Sequence, residues 1–164
     1  MQPNPLRVNS ISLSDVEKLL ARFGLSINVI EPERAIPGSF WGDEEAGLIQ
    51  NTLHIRPDTP IHSIFHESCH YICMTPQRRS TLHTNAGGTQ DEENAVCYLQ
   101  ILLSDEVSFI NRNRMMQDMD DWGYSFRLGS ARNWFNRDAE DAREWLLQHQ
   151  LIDQNNNVSF KLRA

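Results

Sequence analysis

The sequence predicts an α+β fold, with a small mixed or antiparallel sheet packed on a core of helices. Two features lead there. The first third carries short apolar runs closed by proline, SINVIEP and LIQNTLHIRP, which are long enough for strands and no more. From Thr59 onward, apolar residues recur instead at three- and four-residue intervals, the period of an amphipathic helix. A chain of 164 residues with 40% hydrophobic content, four Trp and seven Phe can bury a substantial core as one unit.

In chain order, SLSDVEKLLARFGL opens on a Ser or Asp capping candidate. It repeats apolar residues at Val16, Leu19, Leu20 and Phe23 before Gly24, so a helix over about residues 13–23 is expected. GSFWG is a weaker strand candidate between the two proline-ended ones. In TPIHSIFHESCHYICM, Thr59 is a cap candidate and Pro60 suits a first helical position, with Ile61, Ile64, Phe65 and Ile72 apolar and Pro76 closing the segment. PQRRSTLHTNAGG is expected as a loop, after which Thr89 or Gln90 opens DEENAVCYLQILL. The buried face of that helix is Ala95, Val96, Leu99, Leu102 and Leu103. Further helices are expected near residues 105–119, with Met115, Met116 and Met119 in the core, and 130–148, with Trp134, Trp145 and Leu146 inward. The tail should add a short strand and a turn at Asn155–Asn157, which lacks the oxygen spacing of a cation loop.

Charge and cysteine content narrow the function classes. A formal charge of -7 argues against a main role in binding nucleic-acid backbone, which requires a basic footprint. MQPNPLRVNS has no apolar signal core and no run approaches a membrane span, so a cytoplasmic protein is expected. Cys69, Cys73 and Cys97 are odd in number and lack the pairing of a structural zinc site. They are expected as reduced, buried thiols.

The chemistry centres on His66-Glu67-Ser68-Cys69-His70. A four-residue step turns about 400° around a helix, so both imidazoles share one face and can aim at one cation. Glu67 lies beside them, able to reach a water on that cation rather than the ion itself. A third protein ligand is expected on the next helix, where Asp91, Glu92 and Glu93 adjoin. Helical phase puts Glu92 with Val96, Leu99 and Leu103 on the inward side and favours it. Glu93 stands about 100° away, and Asp91 nearer the cap. His62 is one turn before His66, but three histidines spaced along a straight helix cannot converge on one ion, so it is expected as a supporting or surface residue; His54 reads similarly.

HESCH followed by EENA and a leucine-rich helix resembles the gluzincin branch of the zincin metallopeptidases, especially the small cytoplasmic minigluzincins. The resemblance covers about residues 45–105. It implies a single compact zincin-like domain over residues 13–164 behind an N-terminal arm of residues 1–12. It also implies zinc held by His66, His70 and Glu92, with Glu67 as general base, Ala95 as the small neighbour of the third ligand, and NTLHI as an edge strand above the cleft. Ser68 and Cys69 stand where that family commonly has an apolar residue and Gly.

The function expected is zinc-dependent hydrolysis of selected peptide or protein substrates, with a protein partner allowed and no membrane role. Manganese, cobalt or nickel could enter the same donor set in vitro. His83, Tyr71, Tyr124 and His149 are candidate donors to a tetrahedral oxyanion. The alternatives are a noncatalytic zincin-like inhibitor, immunity protein or sensor, and a structural metal protein whose fourth ligand closes the site.

Overall fold

The computed structural model describes residues 4–40 and 42–164. A helix α1 (Leu13–Ala21) precedes three strands, β1 (Ser26–Val29), β2 (Gly47–Ile49) and β3 (Thr52–Ile55). The helices α2 (Ile61–Cys73), α3 (Pro76–Ser80), α4 (Gln90–Leu103), α5 (Arg112–Trp122), α6 (Ala131–Arg137) and α7 (Glu140–Gln148) follow. The fold is the expected α+β arrangement, a mixed sheet against helices. Its first helix spends Val16, Leu19 and Leu20 in the core and ends as Gly24 turns the chain with φ of 75°.

The sheet order is β1-β3-β2, so NTLHI forms the central strand and not an edge. It runs parallel to β1, with Ser26 opposite Thr52, and antiparallel to β2, with Leu48 opposite Leu53. The cause is legible in β3 itself, where Leu53 and Ile55 are fully buried while Thr52 and His54 alternate outward. On the outward face, His54 Nδ1 meets Asn28 Nδ2 at 3.1 Å. The free side of β2 is closed by the segment after α3. Gln50 N donates to Leu82 O at 2.9 Å and Thr84 N donates to Leu48 O at 3.1 Å. GSFWG forms no strand among the described residues, and its Trp41 lies outside them. Gly47 must be glycine, because a Cβ there would collide with the Pro37 carbonyl.

Several helix boundaries differ from expectation for local reasons. Pro60 is itself the N-cap of α2, since Thr59 Oγ1 accepts from Arg56 N at 2.8 Å and fixes the preceding turn. The expected loop after Pro76 begins with the short helix α3, because the Thr75 hydroxyl caps it by accepting from Arg78 N. Residues 105–119 do not form one helix: Ser104–Glu106 is a 3-10 turn, and α5 starts where the Asn111 side chain accepts from Arg114 N. The segment 130–148 breaks into α6 and α7 at Asp138 and Ala139, where Asp138 pairs instead with Arg127 at 2.7 Å.

The core runs between sheet and helices and is continuous from α1 to the tail. Met115, Met116 and Met119 are buried in it as expected, as are Trp134 and Leu146, while Trp145 packs against its margin. The tail makes the expected turn, with the Asp153 carboxylate accepting from the backbone N–H groups of Asn155 and Asn157, and Ile152 bridges Val158. It then returns beneath α2, where Arg163 N donates to Ile72 O at 2.9 Å. At the other end, Val8 N donates to Thr59 O, and the carboxylate of Asp118 accepts from Leu6 N. No helix among the described residues is long and apolar enough to cross a membrane.

Candidate metal centre

Helix α2 is buried on nearly every side, which is costly for a segment carrying His62, His66, Glu67 and His70 unless those groups find partners. The three histidines find them chiefly on α4 and on the turn after α5, while His62 Nε2 and His70 Nδ1 stay without a hydrogen-bond partner among the described residues. Thr89 caps α4 by accepting from Glu92 N, and the first turn then delivers adjacent carboxylates to two different places.

Glu93, and not Glu92, completes the cluster with the histidines. Its Oε1 lies 3.2 Å from His66 Nε2, its Oε2 lies 3.1 Å from His70 Nε2, and the two Nε2 atoms are 3.1 Å apart. Glu92 does point inward, at 3% exposure, but that direction leads to cations. Arg78 Nη1 and Nη2 donate to its two oxygens at 2.7 and 2.9 Å, and Arg163 Nη1 donates to Oε1 at 3.1 Å. The line of α4 that meets the histidines is Glu93, Cys97 and Gln100, which runs from the half-exposed first turn of the helix into the core.

The donor set suits zinc. Bonds of about 2.0–2.1 Å in a tetrahedral shell separate ligand atoms by about 3.3 Å, close to the three separations in this triangle. Two imidazoles and one carboxylate are borderline ligands of the kind zinc favours. Among the described residues, His66, His70 and Glu93 are the group of side chains able to hold one ion together, and no fourth side chain joins them. The set matches the gluzincin HExxH arrangement. Burial alone would push the Glu93 carboxyl up, but the two imidazoles override it and hold it well below the usual carboxylate range. The Glu67 carboxyl is pushed up by burial, opposed by His70 and His66 and reinforced by Glu93.

The triangle opens into a cleft of about 390 Å³. Glu67 lines it beside His66 and Glu93, while Glu45, Trp122, Tyr124 and Phe126 form the facing wall. That wall is fixed by Trp122 Nε1 donating to Glu45 Oε1 at 2.6 Å, and by Gly123, which ends α5 in the left-handed region at φ of 105°. Of the four proposed oxyanion donors, Tyr124 alone lines the cleft, and its hydroxyl is already 3.2 Å from His62 Nδ1. His83 bonds Thr84 beside β2, Tyr71 lies against Arg79, and His149 packs at a tilt against Trp145.

His62 is fully buried between Trp122 and Tyr124, away from the triangle. All three cysteines are free and buried, as expected. Sequence reasoning passed over Gln100, which His66 Nδ1 touches at 2.8 Å. Its signal was a single amide inside the apolar run VCYLQILL.

No family model, curated protein or solved structure matches the chain.

Proposed function

We propose that the protein is a zinc-dependent metallopeptidase that cleaves selected peptide or protein substrates. The observation that carries this reading is the His66-His70-Glu93 triangle facing an open cleft with the buried Glu67 carboxylate on its wall. Zinc bound there would supply Lewis acidity and bring a water's pKa into the neutral range. Glu67 accepts the proton of the attacking water and delivers it to the departing amine, a role served by a carboxyl whose pKa burial has raised. The aromatic wall at Trp122, Tyr124 and Phe126 gives apolar surface for one substrate side chain and excludes bulk water from the reacting carbonyl. Because the free side of β2 is closed, an extended substrate does not add to that strand and is held by the cleft and by α4. Residue 13 to residue 164 acts as one catalytic unit in this reading, in the cytoplasm.

The test compares wild type with Glu67→Gln on a native peptide library, with new termini identified by mass spectrometry. Both proteins should bind one zinc, and only wild type should generate zinc-dependent termini. Equal cleavage by the two would remove Glu67 from the mechanism. Zinc binding without any new termini would favour a noncatalytic binding protein.

A further inference from the structure

We infer that Gln100 is a positioning residue that sets the tautomer of His66 and so prepares its Nε2 lone pair for the metal. This rests on reading the triangle as a metal centre. A neutral imidazole serves as a ligand only through its unprotonated nitrogen, so whichever group binds the other nitrogen decides which end can coordinate. Here the other nitrogen, Nδ1, lies 2.8 Å from Gln100 Oε1.

The amide cannot turn round. Gln100 Nε2 donates to the His62 carbonyl at 3.0 Å and lies 3.5 Å from Met115 Sδ, two groups that only accept. Reversing the amide would set oxygen against oxygen at His62 and would offer an N–H to the N–H of His66. With the orientation fixed, Oε1 accepts and Nδ1 carries a proton, so Nε2, which faces Glu93 and His70, is the nitrogen that must give up its proton and lone pair to a metal. Gln100 is fully buried, so no water competes for either end of the amide. The other ligand lacks such a key, since His70 Nδ1 is buried with no hydrogen-bond partner among the described residues. The centre is thus organised on one histidine, and through a neutral amide rather than a carboxylate. The amide itself brings no negative charge to the Nδ1 side of His66 to tighten its hold on an ion.

The test uses Gln100→Met, which keeps the volume and removes both hydrogen-bonding ends, and Gln100→Glu, which keeps the acceptor. In metal-free protein, ¹⁵N–¹H correlation of the His66 ring should show a slowly exchanging Nδ1–H for wild type and Gln100→Glu, whatever the protonation of Nε2 beside Glu93. Gln100→Met should lose that protected Nδ1–H. Zinc affinity should fall about 10–100-fold in Gln100→Met, and the visible spectrum of the cobalt-loaded protein should change with it. An unaltered tautomer with wild-type zinc affinity in folded Gln100→Met overturns the inference. Failure of wild type itself to bind zinc would instead overturn the metal-centre reading, and the tautomer result would still stand on its own.

Discussion

Two neighbouring glutamates with opposite duties define the chemistry at the scale of single residues. Glu93 faces imidazoles and Glu92 faces guanidinium groups, although only one helical step separates them. Glu92→Gln should leave zinc stoichiometry intact while lowering stability by about 2–3 kcal/mol. That is less than a fully buried pair would cost, because Arg78 reaches solvent. Glu93→Gln should instead weaken zinc binding by more than about 100-fold, and it also costs metal-free stability by unpairing the two imidazoles. Calorimetry and metal titration on both variants separate the two roles, and a swapped outcome would return the ligand to Glu92. The histidines and Glu67 were legible from spacing alone, because an i, i+4 pair fixes a face wherever the helix lies. The choice among Asp91, Glu92 and Glu93 was not, since it depends on where α2 crosses α4 and on Arg163, which is distant in sequence.

Elements carried their signal unevenly. Helices α1, α2 and α4 were readable because their apolar period continues for more than two turns between clear stops. The register of the sheet was hidden, because nothing local tells a central four-residue strand from an edge one, and the residues that close β2 come from beyond α2. The junction after α5 matters most to the cleft, since Gly123 turns the chain there and presents Tyr124 and Phe126 to it. A Cβ on Gly123 would meet no atom within 4 Å, so the cost of Gly123→Ala is conformational alone. We expect about 1 kcal/mol from the left-handed backbone, seen as a fall of about 2–4 °C in Tm. A larger fall would mean that the turn bears on packing as well.

For the molecule as a whole, the helical pair α2 and α4 holds the core and the site in one body, so acid should act on both through buried histidine. Burial first, then the fields of His66 and Arg7, lower the His62 pKa from 6.5 to about 3. Between those values the unfolded chain takes up a proton that the folded protein refuses. Stability from this group is therefore complete above pH 6.5 and is lost as pH falls toward 3, with a slope of at most about 1.4 kcal/mol per pH unit. Denaturant titrations of metal-free protein should show a shallower acid decline for His62→Gln than for wild type. Parallel curves would mean that His62 does not govern the decline.

The burial of Cys69 and Cys73 has a practical consequence. Both side chains are fully enclosed between α2 and its neighbours, and burial pushes both thiols far above their ordinary range. Only the thiolate attacks an alkylating reagent, so the native molecule withholds these two sulfurs while any opened form exposes them at once. Mass-tagged alkylation then becomes a clock for global opening, read on the same helix that carries the two histidines.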